Sequence, residues 1–130
     1  MVAKEQLPGR LLMRIVLDAP TPQEARGAVA GLLGDQPADV VSTAQLLVSE
    51  VVANAIEHGG GARVAVLERR ARSLHVEVLD RVPTMPMVQL ASSRRPRGRG
   101  MFLVATLAAR WDAWSVGDGK AVWFEMRLEA

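Results

Sequence analysis

The sequence predicts an α+β domain, a two-layer sandwich in which a largely antiparallel sheet is covered on one face by helices. Three observations lead there. Two stretches of helical periodicity, near 22–33 and 39–58, come before most of the strands. Later segments alternate apolar and polar residues, as Leu74, Val76 and Val78 do against His75 and Glu77. Tight polar turns, Arg69 to Ser73 and Gly117-Asp118-Gly119, join neighbouring strands as hairpins.

Leu11, Met13, Ile15 and Leu17 mark the first strand, which Asp18-Ala19-Pro20 ends. Thr21 is placed to cap a helix that begins at Pro22, carries Glu24 in its first turn and runs to about Leu33. Gly34-Asp35-Gln36-Pro37 breaks the chain before a long helix from about Asp39 to His58, which Gly59 closes. Strands follow at about 62–70 and, from Leu74, at the alternating segment that Asp80 ends. The run 81–97 has no periodicity and holds three prolines. Loops of that length in a compact domain are usually functional lids or disordered, and residues 81–99 are expected to form a lid. A third helix is expected from about Gly100 to Arg110. Two strands finish the chain, near 112–116 and 121–128, with Val122, Phe124, Met126 and Leu128 on one face. Neither a repeat nor a linker divides residues 1–130, so one domain is expected.

Composition narrows the function classes. With 130 residues and 49% hydrophobic content the chain can bury a real core and is not a disordered one. It contains no cysteine, which excludes disulfides and thiolate metal sites. Its start lacks the apolar run of a signal peptide, and the segment 11–17 is too short to cross a bilayer and is interrupted by Arg14. A soluble cytoplasmic protein without membrane contact is the expectation. The net charge is only +2, although Arg94, Arg95, Arg97 and Arg99 crowd one short segment. No aromatic residue that could stack on a base is interleaved with those arginines, so nucleic acid is not the expected partner.

The most informative stretch is Ser49 to His58 with the glycines behind it. At 100° per residue Glu50, Asn54 and Glu57 fall on one narrow polar stripe. Val41, Ala44, Val48, Val51, Val52 and Ala55 fill the opposite face, which must be buried. A carboxylate with a carboxamide one turn later sets an anion or base beside a neutral oxygen on a rigid element. That suits a hydrated magnesium ion carrying phosphates, since magnesium takes few protein oxygens; a plain solvated helix face is the alternative. Asp80 then ends an apolar strand, where it could equally cap a turn. Finally Gly98-Arg99-Gly100-Met101-Phe102 turns into a helix, where glycines and free amides admit an anion. Trp111, Trp114 and Trp123 lie in or beside strands and are expected to pack rather than to form a ligand cage.

In this order the segments resemble the GHKL, or Bergerat-fold, ATP-binding domain, which includes histidine kinases, Hsp90 and gyrase-type ATPases. The chain looks most like the small single-domain branch, the bacterial anti-sigma factor serine kinases. The first motif there reads close to Glu-x-x-x-Asn-Ala-x-x-His, as Glu50, Asn54, Ala55 and His58 do here. The likeness extends from the first strand to the closing Gly119-Lys120-Ala121-Val122-Trp123-Phe124-Glu125. It implies that Asn54 ligates a magnesium ion bridging the phosphates of ATP, with Glu50 beside it as general base or as the group orienting the attacking hydroxyl. Asp80 would accept the adenine amino group's hydrogen bond. Gly98 and Gly100, with the amides of Met101 and Phe102, would wrap the phosphates, and an arginine of the cluster, Arg97 or Arg99, would neutralise them. His58 would stand near the nucleotide or simply favour the helix end through its dipole.

The chain departs from the pattern at three places. The family's Asp-x-Gly-x-Gly appears as Asp80-Arg81-Val82-Pro83-Thr84, Phe102 stands where many members have glycine, and Ala121 follows Lys120 where threonine is common near the adenine. These departures fall on the adenine end and the lid, not on the metal ligand or the base. The resemblance implies a protein serine kinase with ATP and Mg2+ as cofactors. It would phosphorylate a small antagonist protein and bind a sigma factor or similar regulator, with a homodimer left open. A non-catalytic ATP-dependent partner-switching module is the alternative.

Overall fold

The computed structural model describes residues 9–85 and 100–129. Its elements are β1 Leu11–Asp18, α1 Pro22–Leu32, α2 Ala38–His58, β2 Ala62–Arg70, β3 Ser73–Asp80, α3 Gly100–Leu107, β4 Arg110–Val116 and β5 Gly119–Arg127. The strands form one five-stranded sheet in the order β1-β2-β3-β5-β4, and every neighbouring pair is antiparallel. The α+β sandwich expected from the periodicities is therefore the observed architecture.

Local chemistry accounts for the element starts. Thr21 Oγ1 accepts from the Glu24 amide at 3.1 Å while the Glu24 carboxylate accepts from the Thr21 amide at 3.0 Å, a reciprocal capping box ahead of Pro22. The β4–β5 hairpin turns through Gly117 and Asp118 alone, and Gly117 takes φ 57°, which a side-chain-bearing residue rarely adopts. Gly59, expected to close α2, is its C-cap with φ −108°, and the positive φ falls one residue later, at Gly60, with 72°.

The core lies between the helices and one face of the sheet. Val48, Val51, Val52 and Ala55 of α2 pack with Leu67, Leu74, Val76, Val78, Val122 and Phe124. Leu47 also belongs to the buried face of α2, whereas Val41 is only half-buried at its margin. By length and composition α2 could also span a bilayer, but its apolar side is used here as a core helix against the sheet.

Several element ends and the face of β1 differ from the sequence reading, with β4 starting at Arg110 and β5 at Gly119. α3 ends at Leu107 rather than near Arg110, because the Ala109 amide donates to the Glu125 carbonyl at 2.8 Å and Arg110 already pairs with Glu125 in the sheet. In β1 only Ile15 and Leu17 reach the core; Leu11 and Met13 are exposed, and the register with β2 shifts between them.

Candidate functional site

α2 and the ends of the elements packed on it carry four of the candidate residues, Glu50, Asn54, Asp80 and Gly100. Glu50 and Asn54 are half-buried, one turn apart, on the side of α2 away from its core stripe. Gly100, the first residue of α3, is buried directly against Glu50: a Cβ there would lie 2.7 Å from Glu50 Oε2. Glycine is thus what lets the start of α3 approach this carboxylate. Partial burial, and next the negative charge of Glu57, push the Glu50 carboxyl above the ordinary glutamate value of 4.5.

Asp80 occupies the other end. It continues the face of β3 that carries Leu74, Val76 and Val78, so its side chain turns toward the helical layer and is almost completely buried. There it meets the C-terminal end of α2. A Cβ on Gly59 would collide with Asp80 Oδ2, and a Cβ on Gly119 would collide with the Asp80 carbonyl oxygen. Both glycines are needed for close approach. The Arg81 amide donates to the Gly59 carbonyl at 2.8 Å and the Val82 amide to Asp80 Oδ1 at 3.1 Å, which hold the strand end in place. Gly59 comes nine residues after Glu50 and five after Asn54, roughly 13 and 7 Å along the axis. Glu50 and Asn54 thus lie on the last turns of the helix whose C-terminal glycine touches Asp80.

The decisive neighbour of Asp80 is Lys120. Its Nζ lies 2.6 Å from Asp80 Oδ2, both side chains are 1% exposed, and Nζ also donates to the Val82 carbonyl at 3.1 Å. The contact with Oδ2 is bent away from hydrogen-bond geometry and acts as a charge pair. The sequence reading missed this role for Lys120, although a signal was present. Stepping back by two from Val122, Phe124 and Met126 puts Lys120 on the core face, and stepping forward by two from Val78 puts Asp80 there. The β3–β5 register of Val78 with Val122 and Leu79 with Ala121 then sets the two charges side by side.

The other described candidates make no contact with Glu50, Asn54 or Asp80 among the hydrogen bonds and ion pairs seen. The His58 side chain is 64% exposed at the end of α2, with Nε2 3.9 Å from Glu57 Oε2, too long for a hydrogen bond. Met101 belongs to the core through its side chain, and Phe102 is half-buried with its carbonyl accepting from Thr106 Oγ1 at 2.7 Å. Arg97, Gly98 and Arg99, with residues 86–99 of the expected lid, lie outside the described residues.

The donor set fits magnesium carried on phosphates. Asn54 offers a hard neutral oxygen and Glu50 a hard anionic one, and among the described residues no three His, Cys, Asp or Glu side chains gather to hold a metal alone. A family model described as histidine kinase-like ATPase domain matches residues 20–126, from just before α1 almost to the end of β5. No curated protein matches the chain.

Proposed function

Because the chain belongs to the histidine kinase-like ATPase domain family, whose fold implies ATP binding, we propose that it is a regulatory protein of the anti-sigma factor serine kinase type. In this reading it binds Mg-ATP, phosphorylates a serine of an antagonist protein in the cytoplasm and holds a regulator such as a sigma factor. The observation that carries the reading is the half-buried Glu50 carboxylate, set against the start of α3 with Asn54 one turn away.

Asn54 would hold magnesium, which when bound neutralises phosphate charge. The start of α3 at Gly100 sets the positive end of a helix dipole against Glu50. Glu50 would orient the attacking serine hydroxyl and take its proton. Burial, and next the Glu57 charge, raise its pKa, the direction that makes a carboxylate a stronger base. Phosphoryl transfer needs chiefly such positioning and charge neutralisation.

Glu50→Ala should lower single-turnover phosphate transfer to a serine-bearing antagonist by about a hundredfold to ten-thousandfold, with ATP affinity nearly unchanged. Transfer at the wild-type rate in the variant would remove Glu50 from the chemistry. The second reading, an ATP-dependent partner-switching module without catalysis, is favoured by the way Gly100 crowds Oε2 of the would-be base. Partner affinity that depends on ATP, in a protein that transfers no phosphate, would establish it.

A further inference from the structure

The Asp80 carboxylate is held from within the chain at both oxygens, one by a hydrogen bond and the other by an ion pair alone. Oδ1 accepts from the Val82 amide at 3.1 Å, and Oδ2 is covered by Lys120 Nζ at 2.6 Å, with Gly59 packed against the same oxygen. Lysine is almost never fully buried unless paired, and here its Nζ is fixed twice, by Asp80 and by the Val82 carbonyl. The pair touches the C-terminal end of α2 at Gly59, and Glu50 and Asn54, whose oxygens suit phosphates and metal, precede that glycine by nine and five residues on the same helix.

We infer that Lys120 is the specificity-determining residue of the base end of the site. By covering and neutralising Asp80, it takes away the acceptor that a purine amino group requires. The protein then holds nucleotides through their phosphates, with little preference between a 6-amino and a 6-oxo purine. This inference rests on the nucleotide-binding reading above, and it departs from the expectation that Asp80 accepts the adenine amino group's hydrogen bond. The reason is physical: an amino group must either displace an ammonium ion from a buried carboxylate or donate to oxygens already engaged.

ATP and ITP differ at that position, amino in one and oxo in the other, and inorganic tripolyphosphate lacks the base. Calorimetric titration of the wild-type protein with each, at fixed magnesium, should give ATP and ITP affinities within about threefold of one another. Lys120→Met removes the ammonium group while keeping the aliphatic stem. It frees a charged acceptor, so ATP should become preferred over ITP by about tenfold or more. Melting of the same variant should be rescued more by ATP than by ITP, because only ATP supplies a donor to the stranded carboxylate. A wild-type protein that already favours ATP over ITP tenfold, or a Lys120→Met ratio identical to wild type, overturns the inference while leaving nucleotide binding intact. If Lys120→Met does not fold, the wild-type ratio alone decides. Absence of binding by ATP, ITP and tripolyphosphate alike overturns the nucleotide reading, and the inference with it.

Discussion

Glu50 is held off its ordinary titration by two neighbours of unequal weight, and that makes its pH behaviour testable. Burial is the larger cause and the Glu57 charge the smaller, and both favour the protonated form. A base of this kind works only above its folded pKa, so the acid limb of phosphate transfer should lie above 4.5. Glu57→Gln removes the smaller cause alone. The limb should then move to lower pH without reaching the unperturbed value, as a pH–rate profile of the two proteins would read out. A limb that stays in place would mean that Glu57 does not sense Glu50. Lys120 is the other residue whose environment outweighs its identity: removing one partner of a buried pair typically costs about 3–5 kcal/mol.

Individual elements owe much to single polar contacts. The turn between α1 and α2 is tied to β2 by Arg69, whose guanidinium donates to Asp35 Oδ1 at 2.7 Å, to Oδ2 at 3.1 Å and to the Leu32 carbonyl at 3.0 Å. The Arg69 hydrogen bond, opposed by some desolvation, lowers the Asp35 pKa from 3.8 to about 2. A depressed carboxyl stabilises the fold fully above its unfolded pKa, and that contribution is lost as pH falls through the folded value. Wild-type stability should therefore decline between pH 3.8 and about 2 through this contact, and Asp35→Asn should flatten that part of an acid melt series. The helices and most strand cores were legible because their apolar periods are local. The end of α3 was not, since Arg110 is drawn into the sheet by Glu125, fifteen residues on, whose carboxylate it meets at 2.9 Å. Nor was the exposure of Leu11 and Met13, which depends on how far the helices extend over an edge strand.

Over the whole molecule, the helical layer covers one sheet face and the other is finished by polar and aromatic side chains. There Glu125 is shared between Arg110 and His75, whose Nδ1 lies 3.2 Å away, and His75 stacks on Trp123 with ring centres 5.4 Å apart. Ligand linkage acts on the domain as a unit. Magnesium and ATP together should raise its melting point, worth about 2.7 kcal/mol at a hundredfold excess over the dissociation constant. Asn54→Ala should lose most of the magnesium-dependent part, and a wild-type melt indifferent to Mg-ATP would count against the nucleotide assignment. The Glu50–Asn54 end of the site was readable because its residues sit within two turns of one helix. The Asp80–Lys120 end was not, since its partners lie forty residues apart and meet only when β3 and β5 align.

The helix α2 runs for 21 residues with neither glycine nor proline inside it. It carries Glu50 and Asn54 and ends on the glycine that touches Asp80. The interval between the two carboxylates is therefore metered by a count of peptide units and not by any side chain. One extra residue between Asn54 and Gly59 would lengthen that interval by about 1.5 Å and twist its ends about 100° out of phase, with every functional group still present. What the helix fixes there is a number, and its two ends can only be retuned together.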